Sequence, residues 1–320
     1  MDNQSEPKLV WLDCDPGTDD AIAIFLAASS PKLKLLGISS VQGNTHVENS
    51  TKNALSLLYM AGIQGINVYR GQENSLTRGK FCSDDFHGSN GMAGIVLPTS
   101  SQKEIRDDVF NKIYEIIKSQ GKKIYFIATG ALTNLAILLT VYPDIKQYIE
   151  QISIMGGSAT LGNMTPAAEF NIYMDPEAAK IVFDAQVPLA MCPLDLTLKV
   201  KVDYNVISKI QQFNSKFSEC VVQFLQYFLQ SYKQNFNFDY APLHDPCAVY
   251  QVINPGAFKT KFKNVVIETK SEYCDGRTVV DEYGTTGRKP NCTICYEMDQ
   301  EQFWSEMMSA LNQCNENSPL

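Results

Sequence analysis

The sequence has no apolar run approaching the roughly 18 residues of a membrane span, and no block of basic residues. The first absence argues against a membrane as partner, and the second against nucleic acid. Net charge is −8 and the pI is about 5.0, which point the same way. The start, MDNQSEPKLVWLD, is polar and runs straight into a strand pattern, unlike a signal peptide. The nine cysteines are odd in number, and several sit in apolar stretches, such as Cys192 in PLAMCPLDL and Cys247 in HDPCAVY. They read as buried thiols in a reducing compartment, and the expected location is cytoplasmic. Cys292 and Cys295 form a CxxC without a second pair, so a four-ligand zinc site is not completed. No GxGxxG and no P-loop occurs, so nothing points to a nucleotide cofactor.

What is present is a globular balance, 44% hydrophobic and 19% charged, able to bury a large core. No repeat, low-complexity tract or linker divides the chain, so one domain over residues 1–320 is expected. KLVWLDCD reads as a short apolar strand, followed by the helix DDAIAIFLAASS. LKLLGISSVQGN, INVYRG, KIYFIATG, QISIMGG and VPLAMCPLDLT read as further strands. Helices lie between them: HVENSTKNALSLLYMAG with Gly62 past its end, one from about Ile105 to Ser119, and DPEAAKIVFDA. Gly71 to about Gln102 is a long loop, a kind often functional. Two helical stretches cover roughly Tyr204 to Lys233; FKNVVIET, RTVVDEY and NCTICYEM are late strands, and a last helix begins near Gln300. The alternation predicts an α/β fold: an open, mainly parallel, mixed central sheet flanked by helices, Rossmann-like. Polar clusters recur at the strand ends, as DCDPGTDD, QGN, ATGALTN and MGG. In such sheets these ends converge on the ligand site.

WLDCDPGTDD, residues 11 to 20, gathers four aspartates around a Pro-Gly turn. Carboxylates that close need a compensating charge, and a hard divalent cation with oxygen ligands supplies it. Calcium tolerates many carboxylates and irregular geometry better than magnesium. Pro16 and Gly17 let the chain reverse so that Asp15 and Asp20 face one point. The alternative is that some of the four, Asp13 first among them, only cap the helix. A DxD at a strand end also occurs in phosphatases that form an aspartyl phosphate. That chemistry does not need the Asp19–Asp20 pair opening the helix.

DCDPGTDDAIAIFLA closely resembles the N-terminal signature of the nucleoside hydrolases, the inosine-uridine-preferring nucleoside N-ribohydrolases. The likeness continues through VQGNTHVENSTKNA, ATGALTNLA, MGGSATLGNMTPAAEFNIYMDPEAA, APLHDPCA and TVVDEY, in the family's order over nearly the whole chain. The resemblance implies the open α/β fold of that family, one bound Ca2+, and hydrolysis of the N-glycosidic bond of ribonucleosides. It implies carboxylate ligands from Asp15, Asp20 and Asp245, a carbonyl ligand from Thr129, and Asp15 as the base that activates water. Asp19, Asn44, Glu169 and Asn171 match ribose contacts, with Asn163 near the 5′-hydroxyl and Met155 close to the sugar. An oxocarbenium-like transition state is expected. A homotetramer or homodimer and a role in nucleoside salvage are further implications. A calcium-dependent binding protein that has lost turnover is the non-enzymatic alternative.

The departing base needs a proton or a hydrogen-bond donor, and histidines number only three. His244 precedes Asp245 and matches the family's leaving-group acid; the alternative is that it only orients its loop. His87, in FHGSNG, matches a base-site histidine, with loop stabilisation as the competing role. His46 reads as peripheral, in the first turn of a helix. Tyr232, Phe236, Phe238 and Tyr240 cluster before HDP, either to stack on a base or to pack the core. Tyr232 matches a family tyrosine near the base. Phe236 stands where some relatives have a basic residue. The two tryptophans, Trp11 and Trp304, lie outside every motif loop, which disfavours a purine site built as a tryptophan sandwich. A broad or pyrimidine-preferring specificity of the uridine/inosine type follows. Asp175 reads as a helix N-cap before Pro176. Asp195 reads as a loop organiser.

Overall fold

The structure, a computed structural model, describes residues 6–79 and 86–320. The first five residues and the centre of the Gly71–Gln102 loop therefore lie outside the described residues. The parallel core alternates strands and helices: β1 (Lys8–Cys14), α1 (Thr18–Ser29), β2 (Leu33–Ser40), α2 (Val47–Met60), β3 (Val68–Arg70), α3 (Val109–Ser119), β4 (Ile124–Ala128), α4 (Thr133–Val141), β5 (Ile149–Met155), α5 (Phe170–Met174), α6 (Pro176–Phe183) and β6 (Leu189–Cys192). The chain continues through α7 (Leu194–Thr197), β7 (Lys201–Val202), α8 (Tyr204–Gln211), α9 (Lys216–Phe236), β8 (Ala241–Pro242), α10 (Pro246–Ile253), β9 (Phe258–Ile267), β10 (Thr278–Asp281), β11 (Cys292–Met298) and α11 (Gln300–Asn317).

One nine-stranded sheet has the order β10-β9-β11-β6-β5-β4-β1-β2-β3. Every pair from β11 to β3 is parallel; β9 runs antiparallel to both β11 and β10. The central strands are buried on both faces, which is why they read as unbroken apolar runs. Val10, Leu12 and Phe25 belong to one core cluster, with α1, α9, α10 and α11 over that face. Trp11, Phe126 and Ile152 belong to a second, covered by α3, α4 and α6. Strand order reverses at β1, which has β2 on one side and β4 on the other. A crevice opens at such a switch point, beyond the carboxyl ends of the strands. Asp15 follows β1 there and Thr129 follows β4, and the Thr129 N–H donates to the Asp13 carbonyl at 2.8 Å.

Three expectations need correction. VPLAMCPLDLT is not one strand: Pro193 stops β6, and Leu194–Thr197 form a single helical turn. The third helix begins at Val109, because Ile105 instead bridges to Tyr69 beside β3. His46 is the N-cap of α2, one residue ahead of the helix. Gly62 does follow α2, with φ 69°, a conformation that favours glycine. Cys292 and Cys295 are free thiols on β11.

Candidate active site

The aspartate run divides among several tasks. Asp13 stays within β1, fully buried, and accepts hydrogen bonds from the Ser39 hydroxyl and from Asn134 Nδ2. It ties β1 to β2 and α4 and does not cap α1, which corrects the capping alternative. Burial raises its pKa to about 7, against the pull of those two bonds. Asp20, in the first turn of α1, takes the capping contact: its Oδ2 accepts from Gly17 N at 3.0 Å. The same oxygen accepts from Asn44 Nδ2 at 3.2 Å, and Oδ1 accepts from Thr129 Oγ1 at 2.8 Å.

Asp15 occupies space that two glycines leave. A Cβ on Gly43 would stand 2.0 Å from its Oδ2, and one on Gly130 would stand 2.5 Å from its Oδ1. Oδ2 accepts from Asn44 N at 2.7 Å; Oδ1 is buried with no hydrogen-bond partner among the described residues. An orphaned carboxylate oxygen at a crevice calls for an external donor or cation.

Asp19, Asp20 and Asp245 bring one oxygen each to within 4.8 Å of one another, all buried. Asp245 arrives from the start of α10, far away in sequence. Asp19 thus joins the acidic group, while Asp15 stands outside that set of three. Burial is the main cause of the raised pKa of all four carboxyls; Asp20 adds to it at Asp15 and Asp19, and Asp19 and Asp20 at Asp245. Asp19 reaches about 7. Four buried acids that oppose one another's ionisation fit a hard divalent cation with oxygen ligands. The Thr129 carbonyl, whose one donor among the described residues is Asn171 Nδ2 at 2.7 Å, keeps a lone pair for such an ion.

Above this group lies a partly open cavity of about 130 Å³. Its polar lining includes Asp19, Asn44, Thr129, Asn163, Glu169 and Asn171; Met155 and Asp245 also border it. Asp15 and Asp20 lie fully buried outside the lining. Glu169 caps α5, accepting from Asn171 N at 2.9 Å, Ile172 N at 3.2 Å and Gly157 N at 2.8 Å. Burial nonetheless raises its pKa to about 7. Asn171 Nδ2 also donates to the Met155 carbonyl at 3.1 Å, and Asn163 Oδ1 accepts from Phe170 N at 2.9 Å.

The remaining lining is mostly aromatic: Phe86, His87, Phe170, Phe228, Tyr232, Phe236 and His244, with Met164 beside them. Phe228, Tyr232 and Phe236 fall four residues apart on α9 and form one stripe. Phe238 and Tyr240 stack on each other at 5.2 Å, away from the cavity. His87 stacks on Phe228 with ring centroids 5.4 Å apart, and its Nδ1 accepts from Thr18 N at 3.3 Å. Burial lowers its pKa to about 4. His244 is held at both nitrogens: Nε2 lies 2.6 Å from Tyr232 Oη, and Nδ1 lies 2.7 Å from Thr197 Oγ1. Burial first, then His87, lowers its pKa to about 3, so the ring is neutral near pH 7. His46 does not line the cavity.

Sequence reasoning missed Phe86, Met164, Phe170, Phe228 and Thr197. The four-residue step back from Tyr232 was a usable signal for Phe228. Thr197 carried none, because its approach to His244 depends on the pairing of β7 with β8. Asp175 caps α6 as expected, accepting from Ala178 N at 3.0 Å. Asp195 organises its loop, accepting from Ala159 N at 2.6 Å and Thr160 Oγ1 at 2.7 Å.

A family model described as inosine-uridine preferring nucleoside hydrolase matches residues 10–305. The chain is 40% identical to a pyrimidine-specific ribonucleoside hydrolase, RihA, of Shewanella woodyi, over 92% of this chain and 95% of that protein. It is 38% identical to a probable ribonucleoside hydrolase of Dictyostelium discoideum, over 95% and 94% of the two chains. Among solved structures, a purine-preferring ribonucleoside hydrolase from Gardnerella vaginalis superimposes with a TM-score of 0.90 at 29% identity, covering 96% of this chain and 99% of that one. A plant nucleoside hydrolase does so with a TM-score of 0.88 at 29% identity, over 95% and 99%.

Proposed function

Because the chain belongs to the inosine-uridine preferring nucleoside hydrolase family, we propose that it hydrolyses pyrimidine ribonucleosides, uridine and cytidine first, in a calcium-dependent reaction. The observation that carries this reading is the cavity with two chemistries. Carboxylates and carboxamides at the buried acidic group suit a polyhydroxylated sugar, and an aromatic lining suits a base. The pyrimidine-specific relative supports the choice of base.

Calcium, which takes roughly six to eight oxygen ligands, would be held by Asp15, Asp20, Asp245 and the Thr129 carbonyl, and when bound it acidifies the attacking water. Asp19, Asn44, Glu169 and Asn171 orient the ribose, with Asn163 and Met155 beside it. Asp15 keeps one oxygen on the Asn44 N–H and has Oδ1 free to take the water proton. The C1′–N bond breaks with its electron pair going to the base, and the water oxygen bonds to C1′. Positive charge on the sugar is stabilised by the surrounding carboxylates. His244 acts on the base through the Tyr232 hydroxyl, since both of its nitrogens already face protein hydroxyls. His87, stacked on Phe228, borders the base. The proton taken up by Asp15 balances the one delivered to the base when water re-equilibrates the site.

The test is ribose release from uridine, cytidine, inosine, adenosine and guanosine, with a calcium-stripped control. We expect the highest kcat/KM on uridine and cytidine, and loss of turnover without calcium. Asp15→Asn lowers kcat on uridine by at least about 10²-fold, the range for a general base. Equal rates on purines and pyrimidines would overturn the base preference. No release with calcium bound would favour a nucleoside-binding protein.

A further inference from the structure

The hydroxyl of Thr197 is fully buried and, among the described residues, meets only His244 Nδ1, at 2.7 Å. A hydroxyl carries one hydrogen, and a neutral imidazole has one donor nitrogen and one acceptor nitrogen. If Nδ1 donated to Thr197, the threonine hydrogen would be buried with no acceptor, a costly arrangement. If Thr197 donates to Nδ1, every hydrogen is used. The imidazole hydrogen then lies on Nε2 and points to Tyr232 Oη, 2.6 Å away. The Tyr232 hydroxyl has no other hydrogen-bond partner among the described residues, so its own hydrogen is left for the cavity that it lines.

We infer that Thr197 is a positioning residue: it fixes the Nε2–H tautomer of His244 and thereby aims the Tyr232 hydroxyl hydrogen at the departing base. The inference rests on the reading of His244 and Tyr232 given above. The fold holds Thr197 in place by a dedicated device. Its carbonyl accepts from Val200 N at 3.0 Å, and the Val200 carbonyl accepts from Leu243 N at 2.8 Å. Leu243 directly precedes His244. β7 and β8 pair beside this contact, Lys201 with Pro242 and Val202 with Ala241. The two-stranded sheet therefore sets the register between the turn bearing Thr197 and the segment bearing His244. With the opposite tautomer, Tyr232 would donate to Nε2 and present only lone pairs to the base. A base leaving with the electron pair of the C1′–N bond needs a donor at that point.

The experiment compares Thr197→Val, which keeps the shape and removes the hydroxyl, with Thr197→Ser, which keeps the hydroxyl. ¹⁵N NMR of the calcium-loaded protein near pH 7 reads the His244 tautomer directly. Steady-state kinetics on uridine and on p-nitrophenyl riboside, whose leaving group needs no proton, read the consequence. The parent and Thr197→Ser should show Nε2–H, and Thr197→Val a mixture or Nδ1–H. In Thr197→Val, kcat on uridine should fall by roughly tenfold or more, part of the 10²–10⁴ of a general acid. KM should stay within about twofold, p-nitrophenyl riboside should be nearly unaffected, and Thr197→Ser should restore uridine turnover. An unchanged tautomer in Thr197→Val, an equal loss on both substrates, or no rescue by serine would each overturn the inference. His244→Ala is run alongside. If it reduces both substrates equally, the leaving-group reading itself fails. If it is selective for uridine while Thr197→Val is not, only the role of Thr197 fails.

Discussion

At the scale of single residues, the site is shaped as much by missing atoms as by functional groups. Gly43 and Gly130 lack the positive φ that usually explains a glycine, yet a Cβ on either would enter the Asp15 carboxylate. The contact falls on a carboxyl held from both sides, so it cannot swing away cheaply. Gly43→Ala therefore displaces Asp15 from the Asn44 N–H, and with it the acceptor oxygen proposed to face water. A shift of the order of 1 Å in such a group costs roughly 10²-fold in rate. We expect Gly43→Ala to lose about that factor in kcat on uridine, with KM changed far less. A variant with full kcat would show that the Asp15 position is not critical. The aspartates were legible as a group, because four like charges around one turn have few structural uses. Their division of labour was not. Asp13 and Asp15 stand two residues apart, yet one ties strands together and the other accepts from the Asn44 N–H after the strand has ended.

At the scale of elements, the same pattern can serve two structures. LDLT after Pro193 is as apolar as the strand before it, and only the tertiary setting makes it a helical turn. The parallel strands were readable because burial on both faces leaves long apolar runs, and Gly62 was readable because a helix end favours a left-handed residue. Contacts that depend on tiny elements escaped. β7 and β8 have two residues each, too few for any periodicity, although they align Thr197 with His244. Asp175 illustrates a cap that holds more than its helix. Besides Ala178 N, it accepts from Leu76 N at 2.8 Å and Thr133 Oγ1 at 2.7 Å. It thus fastens α6, the start of α4 and the loop after β3 at one point. An N-cap alone is worth about 1 kcal/mol, and leaving further buried donors unpaired adds about 1–3 kcal/mol. We expect Asp175→Ala to lower unfolding stability by roughly 2–4 kcal/mol in chemical denaturation. A loss below about 1 kcal/mol would mean that the three contacts are not all made.

At the scale of the whole molecule, the switch point of the sheet gathers acids that the chain scatters from Asp15 to Asp245. The convergence of strand ends was legible from the alternation of strands and helices. The closeness of Asp19 and Asp245 was not, since it depends on how α1 and α10 pack. Gathering these acids makes stability depend on pH, and the sign can be worked out. Burial raises the carboxyls of Asp15, Asp19, Asp20 and Asp245, and repulsion adds to it at Asp15, Asp19 and Asp245; Asp19 reaches about 7, while unfolded carboxyls titrate near about 4. Between those values the metal-free folded protein holds protons that the unfolded chain has released. Its stability therefore falls as pH rises through that window. Asp13 and Glu169, each raised to about 7 by burial, add to the same slope. A cation bound to the acidic group needs its ligands ionised and so reverses the penalty there. Asp13 and Glu169 contribute with or without metal and cancel in the difference. The stabilisation by calcium should then be small near about pH 5 and grow towards about pH 8. At free calcium 100-fold above its dissociation constant it should reach about 2.7 kcal/mol. Denaturation midpoints with calcium and with chelator, measured across this range, test the idea. A calcium effect that is constant with pH, or absent throughout, would remove the acidic group as the seat of metal binding.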